Sequence, residues 1–435
     1  MALSLLLLAH CDGSPGLDGG AETDAGSVDA ALPDAALLDA GPLDAGPDAG
    51  MDAAGSLSSG VVTYDRRPIS SAGLGAATPD PVGGATVVLI ADGLEVARAQ
   101  TDADGRYSFV EEPSGEVQVR VLADSARPPI AVTDFAGNVY AFSGGVGALH
   151  ITEPDFAGAL ALLDTQRDGL RFAAEAFSRA AEFPPLEIRW ERGRTTPGGT
   201  SYATGDELWI LGGPTDTDEY DTPVLLHELG HYLQWVYEFS DVPDGDPHAG
   251  ADTDPRLAWN EGWPSFFSAA ARGDGSYRDS VGGVTAIDLD LGSLPFSGEY
   301  VGRASAPMSQ RLSEWLIAGS LYHLYTSGDL TTQRARSFAP LTQWLDDPGH
   351  DRGAFGRDFV DFLDGYLCVS SGADRARIEQ HVVRDRRFPY DLSPTCPKPG
   401  TPRLEQSIDP PRVFLPGTVL RDQRGRSLRV IQIAR

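Results

Sequence analysis

The chain has 435 residues, with 63 Asp and Glu against 34 Lys and Arg, a formal charge of -29 and a pI near 4.5. A prior of roughly one domain per 150 residues suggests two or three folded units. So acidic a surface repels phosphate backbones and anionic lipid headgroups, which argues against nucleic-acid binding.

In chain order, the start reads MALSLLLLAHCDG, where the apolar run Leu3 to Ala9 falls far short of the ~20 residues needed to span a bilayer. It has the form of the end of an export signal. Leu8-Ala9-His10-Cys11 resembles a lipobox, and that resemblance implies lipidation of Cys11 and an exported protein held at an outer membrane or cell surface by its lipid. His10 stands where the motif has a small residue, and no Lys or Arg precedes Arg66, so a soluble secreted protein or a different start codon stays open. The three cysteines then divide into one anchor and one pair, Cys368 and Cys396, whose disulfide export would permit; two unpaired thiols are the alternative.

From Asp12 to Gly60 the phrases DAG, DAA and LDAG recur with ten acidic residues and no basic or aromatic one. Such a composition cannot bury enough apolar surface to fold, so 12–60 is expected to be a disordered acidic tether behind the signal at 1–11.

Short strands follow: Ala85 to Leu89, Tyr107 to Val110, then Val117, Val119 and Val121 alternating with Glu116, Gln118 and Arg120. Period-two alternation predicts half-buried antiparallel sheet. PVGGATVVL followed by TDADGRYSF resembles the carboxypeptidase regulatory-like domain, which implies a small all-β, transthyretin-like sandwich over 61–125. Asp102, Asp104 and Gly105 raise calcium, but an EF-hand loop needs Gly at its sixth position and Glu at its twelfth. The stretch reads instead as a hairpin turn with Gly105 at positive φ.

From about Asp155 the period changes. Leu163, Leu170, Ala174, Phe177 and Ala181 share one helix face, stopped by Pro184 and Pro185. Leu186, Ile188 and Trp190 alternate with Glu187, Arg189 and Glu191 as a strand, and Glu207 to Leu211 supplies another. Thr222 is expected as N-cap and Pro223 as first residue of a helix running to about Tyr237.

That helix carries His227-Glu228-Leu229-Gly230-His231. Residues four apart lie about 40° apart around the axis and roughly 6 Å along it, so both imidazoles face one side, where one metal can take both. Glu228 projects beside them as a general base toward a water the metal activates. A catalytic zinc takes three protein ligands and keeps one position for water. A metzincin third ligand is excluded, because Gln234 and Tyr237 stand where Gly and His are required. Glu261, in Trp259-Asn260-Glu261-Gly262-Trp263, offers a carboxylate on a second helix.

Here the chain resembles the gluzincins, the thermolysin-like zinc peptidases, and more closely a set of uncharacterised exported bacterial proteins that pair a DTDEYD…HExGH block with an EGW segment. The resemblance spans about Asp155 to Tyr325. It implies Zn2+ on His227, His231 and Glu261, Glu228 as base, and a peptide or protein substrate. It also implies an α+β zincin-like domain over 150–395 with a mainly helical C-terminal half. The extension 396–435 contains Val413 to Leu415 and Leu428 to Ile433, which look like strands.

Pro264 is expected to kink the helix carrying Glu261. Ser265 stands where thermolysin has an Asp, so nothing in the sequence indicates what orients His227. An oxyanion partner is required, and His248, Tyr322 and His323 are the candidates. Asp241, Asp244, Asp246, Asp252 and Asp254 around His248 offer carboxylates for calcium, although a solvated acidic loop also explains the run. Two rivals to a metalloendopeptidase are a catalytically degenerate zincin scaffold serving surface binding or adhesion, and a carboxypeptidase-like exopeptidase. The latter is disfavoured because such enzymes use a differently spaced H-x-x-E motif.

Overall fold

Alternating apolar residues build the first two sheets. The computed structural model describes residues 58–177, 183–241, 254–293, 312–345, 350–353, 355–369, 374–396, 419–421 and 427–429. β1 (Ser59–Arg66) pairs antiparallel with β4 (Thr78–Pro81) and β7 (Arg106–Ser108) and parallel with β12 (Ala148–Ile151), while β2 (Ile69–Ser70) and β3 (Gly73–Leu74) pair with each other between β1 and β4. A second, antiparallel sheet has the order β11 (Ala141–Gly144), β8 (Val117–Leu122), β5 (Thr86–Ala91), β6 (Leu94–Gln100). Val62 and Tyr64 of the first sheet and Val87, Leu89, Val119 and Val121 of the second are fully buried in one hydrophobic core.

Asp102 and Gly105 form a turn between β6 and β7, which belong to different sheets, so the expected hairpin is a sheet-to-sheet corner. Gly105 takes φ +73°, and Asp102 Oδ1 accepts from the backbone N–H of Asp104 at 2.9 Å and of Arg106 at 2.8 Å. The Asp102 carboxylate thus serves the turn.

The strand set runs on past residue 125. β9 (Asp124–Ala126) and β10 (Pro129–Thr133) leave the second sheet and open a third, of order β14 (Tyr202–Thr204), β15 (Glu207–Trp209), β13 (Leu186–Arg189), β10, β9. Its three central strands are parallel and both edges antiparallel. Strands between 124 and 151 therefore serve all three sheets. The chain up to Ser393 clusters as one unit, where the sequence expectation separated 61–125 from 150–395. β1 also begins inside the stretch expected as tether. The second unit, Pro394–Arg435, has as its described strands the antiparallel pair β18 (Val419–Arg421) and β19 (Ser427–Arg429). Cys11, the tether up to residue 57 and Val413 to Leu415 lie outside the described residues. Cys368 and Cys396 are both disulfide-bonded.

Seven helices complete the described elements. α1 (Ala157–Ala176) starts six residues before Leu163, packs on β1 and β10, and ends at Phe177; Ala181 lies outside the described residues. α2 (Thr222–Tyr237) and α3 (Pro255–Arg272) lie side by side, with α4 (Glu314–Thr326) against α3. α5 (Leu330–Gln343), α6 (Phe359–Val369) and α7 (Asp374–Ile378) follow, the last running into a π-helical turn at Glu379–Arg384. Between α3 and α4 comes a hairpin of β16 (Ser276–Val281) and β17 (Val284–Asp290). No helix among the described residues is long and apolar enough to cross a membrane.

Two glycines set how closely these helices approach. A Cβ on Gly230 of α2 would stand 2.6 Å from Pro264 Cα of α3, and one on Gly262 of α3 would stand 2.7 Å from the Glu314 carbonyl oxygen of α4. Both contacts are with backbone, which cannot swing aside. Gly230→Ala is therefore expected to lower the unfolding free energy by about 1–3 kcal/mol through overpacking, despite ~1 kcal/mol gained in helix propensity. Denaturant midpoints measure this, and an unchanged or higher midpoint would show that the helix pair absorbs the methyl.

Candidate metal centre

α2 begins one residue earlier than expected. Asp221, not Thr222, occupies the N-cap position, and Thr222 and Pro223 open the helix. Asp221 does not cap through its side chain. Its Oδ2 accepts from Ser280 N at 2.7 Å and its Oδ1 from Ser280 Oγ at 3.1 Å, which ties the start of α2 to β16. The spacing of four then places His227 and His231 on one side of α2, facing α3.

The structure brings the two histidines together with Glu261. His227 Nε2 and His231 Nε2 stand 3.1 Å apart, and Glu261 Oε2 lies 3.3 Å from the first and 3.2 Å from the second. Lone pairs directed into so small a triangle repel unless a proton or cation lies among them. Zn–N and Zn–O bonds of about 2.0–2.2 Å at tetrahedral angles require ligand atoms about 3.3–3.5 Å apart, so the triangle fits one such ion with little movement. Glu228, 7% exposed on α2, acts electrostatically on His231. Burial opposes a charge on His231, but Glu261 and Glu228, with hydrogen bonds to Glu261 and Gln234, lift its pKa to about 9.

Each ligand has a support that the sequence did not disclose. Ser265, one turn after Glu261, brings its Oγ to 3.0 Å from His227 Nδ1 and so supplies the orienting partner that the sequence left unknown. His231 Nδ1 lies 3.1 Å from Gln234 Oε1. The Gln234 amide nitrogen in turn donates to the Asn260 carbonyl at 3.1 Å, and Asn260 Nδ2 donates to Glu261 Oε1 at 3.1 Å. Pro264 explains the free carbonyl. Lacking an N–H, it cannot close the helical bond to the residue four before it, which is Asn260. Instead of breaking α3, which runs unbroken from Pro255 to Arg272, Pro264 releases an acceptor that Gln234 uses.

Tyr277 of β16 is the residue sequence reasoning missed. Its ring meets His227 edge-on at 6.0 Å and Trp315 at 5.2 Å. Burial first, and the carboxylates of Asp279 and Glu228 after it, push its phenol well above the usual range, so it keeps its proton. The signal was available: Gly282-Gly283, both at positive φ between Ser-Val and Val-Thr, is a strong hairpin mark. Among the described residues, Tyr322 and His323 make no hydrogen bond, ion pair or ring contact with the His227–His231–Glu261 triangle. Tyr322 has Asp274, Asp290 and Arg272 as its charged neighbours, while His323 stacks on His381 at 5.8 Å. His248, with Asp244, Asp246 and Asp252, lies outside the described residues. Asp241 accepts from Arg357, and Asp254 caps α3 through Arg256 N, so neither stands idle.

A second acidic group lies beside β16. Asp216, Asp218 and Asp279 bring carboxylate oxygens within 4.8 Å of one another, an all-oxygen set of the kind hard cations prefer. Burial dominates there, raising Asp221 to about 8 and Asp279 to about 6, and Asp218 and Asp216 shift the same way.

With this geometry in hand, the comparison with known families is specific. Residues 175–339 match the family described as the Mycolysin C-terminal domain, which is less than half of the chain but includes α2, α3 and all three converging residues. This part of the chain is similar to a peptidase family. No curated protein matches the chain.

Gln234→Leu is expected to weaken zinc binding ~10–100-fold, since partners of metal-ligating histidines carry effects of that size; unchanged affinity in competition with a chelator would remove Gln234 from the site. The acidic group gives a pH test. Asp221 is raised, so the folded chain binds more protons, and its contribution is full below about pH 4 and lost as pH climbs through about 8. Asp221→Asn should flatten the fall in melting temperature between about pH 5 and about pH 9. An unaltered slope would show that Asp221 ionises normally.

Proposed function

We propose that the chain is an exported zinc-dependent metalloendopeptidase, with His227, His231 and Glu261 as metal ligands and Glu228 as general base. The observation that carries this reading is the triangle of His227 Nε2, His231 Nε2 and Glu261 Oε2 at 3.1–3.3 Å. The similarity of residues 175–339 to a peptidase family supports it. Zinc held by His227, His231 and Glu261 would supply a Lewis acid for the scissile carbonyl and lower the pKa of a bound water to about 7. Glu228 takes the proton of that water and passes it to the leaving amine. Tyr277, beside His227 and held protonated, is the donor we assign to the developing oxyanion. Ser265 and Gln234 fix the imidazole orientations through Nδ1. The Cys11 motif would hold the enzyme at a membrane through lipid alone, and the β-sheets preceding α1 would form the regulatory-like domain.

The full chain is expected to hold about one zinc per molecule, with full retention in the His227→Ala, His231→Ala double variant counting against the site. Glu228→Gln should keep the metal and lose cleavage of a peptide library, and surviving activity would remove Glu228 from its role. Tyr277→Phe should lower kcat about a hundredfold with little change in KM; an effect confined to KM would make Tyr277 a binding residue.

A further inference from the structure

The hairpin of β16 and β17 carries Tyr277 to the metal triangle, yet a two-stranded ribbon is marginally stable by itself in water. Among the described residues three supports hold it. At its base Tyr277 and Leu289, partners across the ribbon, pack with Trp315 and Leu291. In its middle Ser280 is bound twice by Asp221. The third support, at its tip, comes from a distant part of the chain, the finger formed by β2 and β3.

The finger is closed at its root. Arg67 Nε donates to the Gly75 carbonyl at 3.0 Å and Gly75 N to the Pro68 carbonyl at 2.7 Å, while Leu74 packs against the main hydrophobic core. From there the finger grips the turn at Gly282-Gly283. Leu74 N donates to the Gly283 carbonyl at 3.0 Å, and Thr285 Oγ1 donates to the Ser70 carbonyl at 2.6 Å. Between these bonds Gly73, at φ +112°, lies so close that a Cβ would overlap the Gly283 carbonyl oxygen and stand 2.8 Å from Val284 Cα. Backbone meets backbone there, so no side chain can rotate away to make room.

We propose that the finger Ile69–Leu74 is a positioning device for the metal centre, which by fixing the tip of the hairpin fixes Tyr277 against His227. Supports at base and middle leave a ribbon able to bend and twist along its length. The bulge between Asp279 and Ser280, on the way from the tip to Tyr277, is a place where such a ribbon bends. Tip and ring are six residues apart, about 20 Å along a strand, so a grip at the far end removes that freedom. The sheets before α1 thus act on the metal centre through β2 and β3. The catalytic part of this inference rests on the peptidase reading, whereas the grip itself does not.

Gly73→Ala places a methyl in the grip, and Thr285→Val removes one of its bonds at nearly constant shape. Amide exchange of the full chain, read by mass spectrometry over residues 276–290, is expected to quicken about tenfold in both variants, with β5 and α6 unchanged. Thr285→Val keeps the test should Gly73→Ala not fold. On a peptide library kcat should fall about tenfold, with KM and zinc content kept. In the Tyr277→Phe background the same substitutions should cost little more, since the hydroxyl they position is gone. Unchanged exchange in both variants would overturn the grip. A loss confined to KM, or full additivity with Tyr277→Phe, would overturn its action through Tyr277. If the unaltered chain cleaves no peptide, the peptidase reading fails and takes the catalytic part with it, while the exchange rates still decide the grip.

Discussion

The packing of α2 on α3 at Gly230 and Pro264 is the contact on which the rest of the site depends. The absence of a side chain at Gly230 lets the two backbones meet, and the ring of Pro264 fills the space so created. The same proline leaves the Asn260 carbonyl without its helical donor, and the closeness of α2 puts Gln234 in reach of it. One steric fact and one missing N–H thus set the orientation of His231 and, through Asn260 Nδ2, of Glu261. A wider helix spacing would separate the carboxylate from both imidazoles, because all three distances of 3.1–3.3 Å cross the α2–α3 interface or lie along it.

The second constraint acts at the start of α2. Asp221 gives up conventional capping to bind Ser280 of β16 twice, and in doing so brings the hairpin of β16 and β17 over the helix. Tyr277 reaches His227 by this route. Placing Asp216, Asp218, Asp221 and Asp279 close together and partly or fully buried has an electrostatic cost, which shows as an upward shift of all four carboxyl pKa values.

What was legible in the sequence follows from the range of the forces involved. The spacing of His227 and His231 is local, so helix geometry alone predicted their shared face. The short strand at β8 was visible for the same reason, as period two needs only a few residues, and β5 and β7 stood out as short apolar runs between turn residues. Glu261 came from the resemblance to the gluzincin pattern once the metzincin spacing was excluded, since no periodicity links residues thirty apart. Ser265 and Gln234 were in plain view but gave no signal, because a hydrogen bond between side chains on two helices depends on the distance between the helices. Pro264 was expected to kink its helix; the helix runs on through it, and the Asn260 carbonyl it leaves without a helical donor accepts from Gln234 instead. The outcome at β9 and β10 has a similar origin. Their sequences read as continuation of one β region, and only the parallel pairing of Ile130–Thr133 with Leu186–Arg189 shows that they open the next sheet.

That shared sheet also explains why its two edges differ. Antiparallel strands close both edges of a parallel core, and each edge then meets a different neighbour: α2 beside β14, and the second sheet's β5 beside β9. At the second edge β9 ties the sheet that borders the site to the sheets before α1, so the strands between 124 and 151 hold the two parts of the fold together. At the first edge two imidazoles and a carboxylate converge, and their lone pairs are directed at a point that suits a metal ion. The net charge of -29 favours a cation at long range, and the triangle selects it by geometry.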